Sequence, residues 1–131
     1  MKKNLLLFIA FFAMQHILAQ APISVVKGMP IPFETVEIQP AFPGGVNEFI
    51  KFVGKNFRAS EEENSPTGIL KVSFVIDTNG SVGEIKIIND LGSGTGDEAK
   101  RVLLTSPKWT PGSEGGKPVR VIFVLPITLR N

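Results

Sequence analysis

The chain has no cysteine and no tyrosine, and it carries one histidine and one tryptophan in 131 residues. Without cysteine there is no disulfide framework, no thiolate metal site and no thiol nucleophile. The only histidine, His16, sits in the apolar N-terminal segment. The rest of the chain therefore lacks an imidazole base, which excludes Ser-His-Asp and Cys-His catalysis and histidine-built zinc sites. Long apolar runs are also missing. The one candidate, Leu5–Met14, is interrupted by Gln15 and His16, whereas a spanning helix takes about 20 apolar residues.

What is present begins with that segment. Lys2 and Lys3 precede the apolar run, and Ile17-Leu18-Ala19-Gln20 follows it. Residues 1–20 read as a secretory signal peptide cleaved after Ala19, which predicts export to the periplasm. An uncleaved inner-membrane anchor is the alternative. Losing Lys2 and Lys3 takes the 14 basic side chains to 12, against 12 acidic ones. A balanced charge gives no bulk reason to bind nucleic acid. The charges are nonetheless segregated. Glu34, Glu37, Glu48 and Glu61-Glu62-Glu63 make the first half acidic, and Lys100, Arg101, Lys108, Lys117, Arg120 and Arg130 make the last third basic. Two solvated faces, or a C-terminal strand that steers an acidic peptide, are both consistent with this.

Residues 21–43 hold Pro22, Pro30, Pro32, Pro40 and Pro43 and read as an extended spacer reaching up to about 70 Å. A short strand is open at Val36 and Ile38. The domain proper is expected over 44–131. Gly44-Gly45 opens a helix over Val46 to Phe57, whose stripe is Val46, Phe49, Ile50, Val53 and Phe57. A first strand follows over Gly68 to Ile76, then an Asn79-Gly80 turn, then a second strand from Val82 to Ile88. Apolar residues on both its faces suit a central position. Thr95 and Glu98 fit a capping box for a second helix ending near Thr105. A third strand runs from Val119 to about Leu129 and contains Pro126, which belongs on a sheet edge. The order predicts an α+β fold, with two helices packed on one face of a three-stranded antiparallel sheet.

Chemical motifs are weak. Gly92-Ser93-Gly94-Thr95-Gly96 lacks the lysine of a phosphate loop. Asp77-Thr78-Asn79-Gly80 starts like a calcium loop, but Val82 and Ile88 stand where that loop needs Gly and Glu. Glu61-Glu62-Glu63 reads as a solvated run, and Trp109 as a core anchor. No nucleophile, base and oxyanion site assemble, so neither an enzyme nor a cofactor or metal site is expected. The positive signal is an edge strand, which either invites aggregation or is used by a partner.

One set of residues is more specific. Pro40-Ala41-Phe42-Pro43-Gly44-Gly45, the segment Gly68 to Val82 with Asn79-Gly80, Glu98-Ala99, Pro107-Lys108-Trp109-Thr110-Pro111-Gly112, Gly116-Lys117-Pro118-Val119 and Leu125-Pro126-Ile127 together resemble the TonB C-terminal domain. The form is the one common in Bacteroidetes-type bacteria, and the resemblance spans about Glu34 to Arg130. It implies a periplasmic module that grips the TonB box of outer-membrane receptors by strand addition, in TonB-dependent transport. It also implies inner-membrane proton-channel partners if the N-terminus stays anchored. Carried over, the peptide edge is Val119, Arg120, Val121, Ile122, Phe123, Val124 and Leu125. The family often has Tyr-Pro after the first helix, where this chain has Phe57-Arg58. An envelope assembly module using the same edge, as a homodimer or with a partner outside transport, is the alternative.

Overall fold

The computed structural model describes residues 28–61 and 63–130. The segment 1–20, the first residues of the spacer and Glu62 lie outside the described residues. Strands β1 (Ile31–Pro32), β2 (Gly68–Ile76), β3 (Val82–Asn89), β4 (Gly112–Glu114), β5 (Lys117–Val119) and β6 (Val121–Leu129) accompany helices α1 (Val46–Asn56) and α2 (Thr95–Leu104). The α+β architecture is as expected, but the sheet is not three-stranded and purely antiparallel. It has four strands in the order β1-β6-β2-β3, with β1 parallel to β6 and the other pairs antiparallel. β4 and β5 form a separate two-stranded ribbon. The extra main-sheet strand is two residues long and contains a proline, so no periodic pattern announces it.

The core is built on aromatic rings. Phe49, from the buried side of α1, lies 4.8 Å from Trp109 and 5.8 Å from Phe74 between ring centroids. Phe42 meets Trp109 edge-on at 5.5 Å, and Phe123 stacks on Phe74 at 5.3 Å. Such pairs add about 0.5–1.5 kcal/mol each beyond their buried area. Val53, Val72, Ile76, Leu103 and Leu125 complete this cluster. Trp109 is the core anchor the sequence suggests. It is fully enclosed, and its indole N–H donates to Ser106 Oγ at 3.1 Å.

Three local expectations are corrected. First, β3 is an edge strand, not a central one. Between the pairs Ser73–Lys86 and Val75–Gly83, β3 carries one residue more than β2, and Glu84 there has φ of 46°. This bulge swaps the alternation, so Val82, Ile85 and Ile87 all face the core. The two apolar faces record a bulge. Second, no capping box forms on α2. Gly94 takes the N-cap in a left-handed conformation, and the Thr95 hydroxyl donates back to Gly92 O at 2.8 Å. Third, the strand expected from Val119 onward breaks at Arg120 into β5 and β6.

Glu98 does other work. Its carboxylate accepts from Arg101 Nε at 2.7 Å, and Arg101 Nη2 reaches the Asn56 carbonyl at 2.8 Å. This clasps the end of α1 to α2. The hydrogen bond from Arg101 is the main reason the Glu98 carboxyl titrates below its ordinary value. A depressed acid stabilises the fold above its ordinary pKa and loses that contribution as pH falls through the folded value. Glu98→Gln is therefore expected to cost at most about 1 kcal/mol at pH 7, the scale of partly exposed pairs. Urea midpoints of variant and parent should converge below about pH 4.5, and a gap independent of pH would refute the linkage.

The β2–β3 hairpin ties the Trp109 loop to the sheet. Trp109 N donates to Gly80 O at 2.9 Å. Gly80 has φ of 84°, and a Cβ there would stand 1.9 Å from the Trp109 carbonyl oxygen. Gly80→Ala is expected to cost about 2–4 kcal/mol, combining left-handed strain with a backbone clash, measurable as a lower urea midpoint at unchanged slope.

Candidate functional site

Backbone hydrogen bonding of β6 defines the site. β6 pairs with β2 along its whole length, from Val121 opposite Ile76 to Leu129 opposite Gly68, and Phe123, Leu125 and Ile127 pack against the core. Arg120 O and Ile122 O point the other way and accept from Ile31 N and Phe33 N at 2.9 and 3.0 Å. Strand alternation turns the backbone groups of Val124, Pro126 and Thr128 outward as well. β1 ends at Pro32, so beyond Ile122 no strand among the described residues covers this side. Pro126 lacks its N–H on the open side, where the β2 ladder loses nothing, in keeping with the edge expected from that proline.

The residues singled out from sequence divide along this line. Val119 closes the β4–β5 ribbon opposite Gly112. Arg120 is the joint between β5 and β6. Val121 and Ile122 have β1 beside them. Phe123, Val124 and Leu125 follow, with only Val124 directing its backbone outward. Thus the N-terminal half of the expected edge is covered by the chain's own residues. That covering segment was expected to be spacer. Residues 28–43 instead lie against the domain, with Val36 and Phe42 buried. Ile38 exchanges hydrogen bonds with Ser113, and Ala41 with Thr110.

The remaining motif residues are structural. Phe42 enters the aromatic cluster, and Pro43 is exposed. Gly44 and Gly45 make the turn into α1, closed by Gly45 N to Phe42 O at 2.7 Å. Asn79 Oδ1 accepts from Ser81 N at 3.0 Å inside the five-residue hairpin loop. Pro107 follows α2, and Pro111 leads into Gly112, where a Cβ would meet Val121 Cγ2 at 2.8 Å.

The electrostatics also differ from the sequence picture. Arg120 Nη1 donates to Gly28 O at 2.9 Å, and Nη2 is paired with Glu84 on the β3 bulge. Its guanidinium is mostly buried, and Nε has no partner. The cation expected to steer a ligand is used inside the fold, holding the start of β1. Sequence reasoning had no signal for this, because the bulge that presents Glu84 is invisible in composition.

A family model described as the Gram-negative bacterial TonB protein C-terminal matches residues 56–130. The chain belongs to the TonB C-terminal family. No curated protein and no solved structure matches it. The matched region begins at the last residue of α1, so β1 and most of α1 lie outside it. This TonB-like domain belongs to a non-enzymatic, transport-associated family whose members work in the cell envelope with TonB-dependent receptors. Among the described residues, no helix is long and apolar enough to cross a membrane.

Arg120→Ala tests the joint. Charge-assisted hydrogen bonds contribute about 1.5–3 kcal/mol, so amide exchange at Ile31 and Phe33 should speed up roughly tenfold or more. Exchange along the β2–β6 ladder should stay slow. Equal exchange in both proteins would mean that Arg120 does not hold β1.

Proposed function

We propose that this TonB-like domain captures an extended peptide, the TonB box of an outer-membrane receptor, by strand addition along the outer edge of β6 in TonB-dependent transport. The observation that carries the reading is the uncovered run from Val124 to Thr128, with outward N–H groups at Val124 and Thr128 and outward carbonyls at Val124, Pro126 and Thr128. An added strand completes those bonds, each contributing about 0.5–1.5 kcal/mol net. The domain works as a binder in the periplasm, where its export segment delivers it. Retention of residues 1–20 would tie it to the inner membrane and to proton-channel partners there. Cleavage after Ala19 would leave a soluble binder that transmits no force.

An amide NMR titration of the full-length protein with TonB-box peptides from the host's receptors tests this. Micelles are used where residues 1–20 are retained. Shifts concentrated on β6 are expected, with the β4–β5 ribbon unmoved. Absence of any β6 shift at millimolar peptide would defeat receptor binding by this domain. Concentration-dependent self-association that protects the same amides without peptide would instead identify the edge as a homodimer interface.

A further inference from the structure

The helical stripe of α1 is only half used. Phe49 and Val53 are buried, but Val46 and Ile50 are 44% and 50% exposed. Val46, Ile50 and Gly54 recur at every fourth position, so they share one face of α1. This face borders the uncovered end of β6. Ile50, Val53 and Gly54 on the helix, with Leu125, Pro126, Ile127 and Thr128 on the strand, line a groove of about 310 Å³. That volume is at the lower limit of small-molecule sites. Gly54 leaves it open, since a Cβ there would meet no atom within 4 Å. Two independent features therefore coincide: outward backbone groups that call for a strand, and an apolar slot beside them on the helix-facing side of the sheet.

We propose that this slot is the specificity pocket of the strand-addition site. It takes one aliphatic side chain of an extended peptide paired with Val124–Thr128, while β1 remains in place. The proposal rests on the strand-addition reading above and adds to it a position, a side-chain class and a length. Side chains of an added strand alternate between faces. Every second residue therefore points toward α1, and the central one of these enters between Ile50 and Ile127. Five residues at about 3.3 Å each span roughly 17 Å, the length of edge left by β1. Phe33 marks the upper limit of the site. It rests edge-on against Phe123 at 4.7 Å, and its N–H is bound to Ile122 O. A charged side chain in the slot would face aliphatic groups, backbone and the Thr128 hydroxyl, with no opposite charge in the lining to offset its lost hydration.

The test uses the full-length protein and a capped heptapeptide of alternating threonine and valine. Its twin carries aspartate in place of the central valine. The valine peptide should shift the Val124 and Thr128 amides and the Ile50 and Val53 methyls, and the aspartate twin should bind at least tenfold more weakly. Ile50→Glu and Gly54→Leu should each weaken the valine peptide at least tenfold. Both positions are on the helix surface, and Gly54→Leu also supplies a better helix former, so an unchanged spectrum elsewhere separates lost binding from lost folding. Amides of Ile31 and Phe33 should keep their protection in the complex.

Equal affinity for the two peptides, or parent-like binding by both variants, would overturn the pocket while leaving strand addition intact. Loss of Ile31 and Phe33 protection on binding would mean that the peptide displaces β1, which also overturns the proposal. No β6 shift with either peptide would remove both readings. Dimerisation abolished by Ile50→Glu would give the slot to a second copy of this chain.

Discussion

Everything in this domain leans on the contact between Trp109 and the rings around it. With no cysteine in the chain, cohesion rests on apolar burial. Phe49 from α1, Phe42 from the preceding segment, Phe74 from β2 and Phe123 from β6 all meet within ring-contact distance of one another or of Trp109. These four segments each set a ring against Trp109, so none of them is placed independently of the others. The backbone of the same tryptophan is fixed by Gly80, which is why the hairpin loop and the Trp109 loop behave as one unit.

That arrangement fixes where the chain can be used. β2 is covered on both sides by β3 and β6, and Arg120 holds β1 against the start of β6. Two open edges remain among the described residues: the outer side of β3, and a short stretch at the far end of β6 beside a helix face that the core does not reach. Small sheets with open edges risk nonspecific pairing. Here β1 shortens the liability, and Pro126 removes one donor from what is left. The β6 edge is thus brief, apolar on its helix side and lacking a nearby unpaired cation in Arg120. Under the proposed strand addition, such an edge would select for peptide shape and aliphatic content more than for charge.

Much of the fold was legible because its signals are local. β2 follows from Leu70, Val72, Phe74 and Ile76 on one face, with Lys71 and Ser73 on the other. α1 follows from the spacing of Val46, Phe49, Ile50 and Val53, and the end of α2 from Pro107. The errors have a common cause. The central position assigned to β3 came from a bulge at Glu84 that mimics two apolar faces. The capping box at Thr95 and Glu98 had the right residue types, but Gly94 and Arg101 offered better partners. The spacer reading of residues 21–43 followed the proline count and left only a short strand open at Val36 and Ile38, whereas Val36 and Phe42 are buried against the domain.

By itself, the sequence determined the types of the longer elements, the α+β class, the tryptophan anchor, the edge character of Pro126 and the absence of thiol and imidazole chemistry outside the N-terminal segment. These depend on periodicity, on proline and glycine stereochemistry and on which side chains exist, all properties of neighbouring residues. Only the tertiary structure decided which stretch of the last strand is open, that Arg120 is spent on Glu84 and Gly28, and that Ile50 lies uncovered beside a groove. Those facts arise from contacts between segments far apart in the chain. Such contacts join side chains and backbone groups that no local spacing relates, so the amino-acid pattern does not encode them locally.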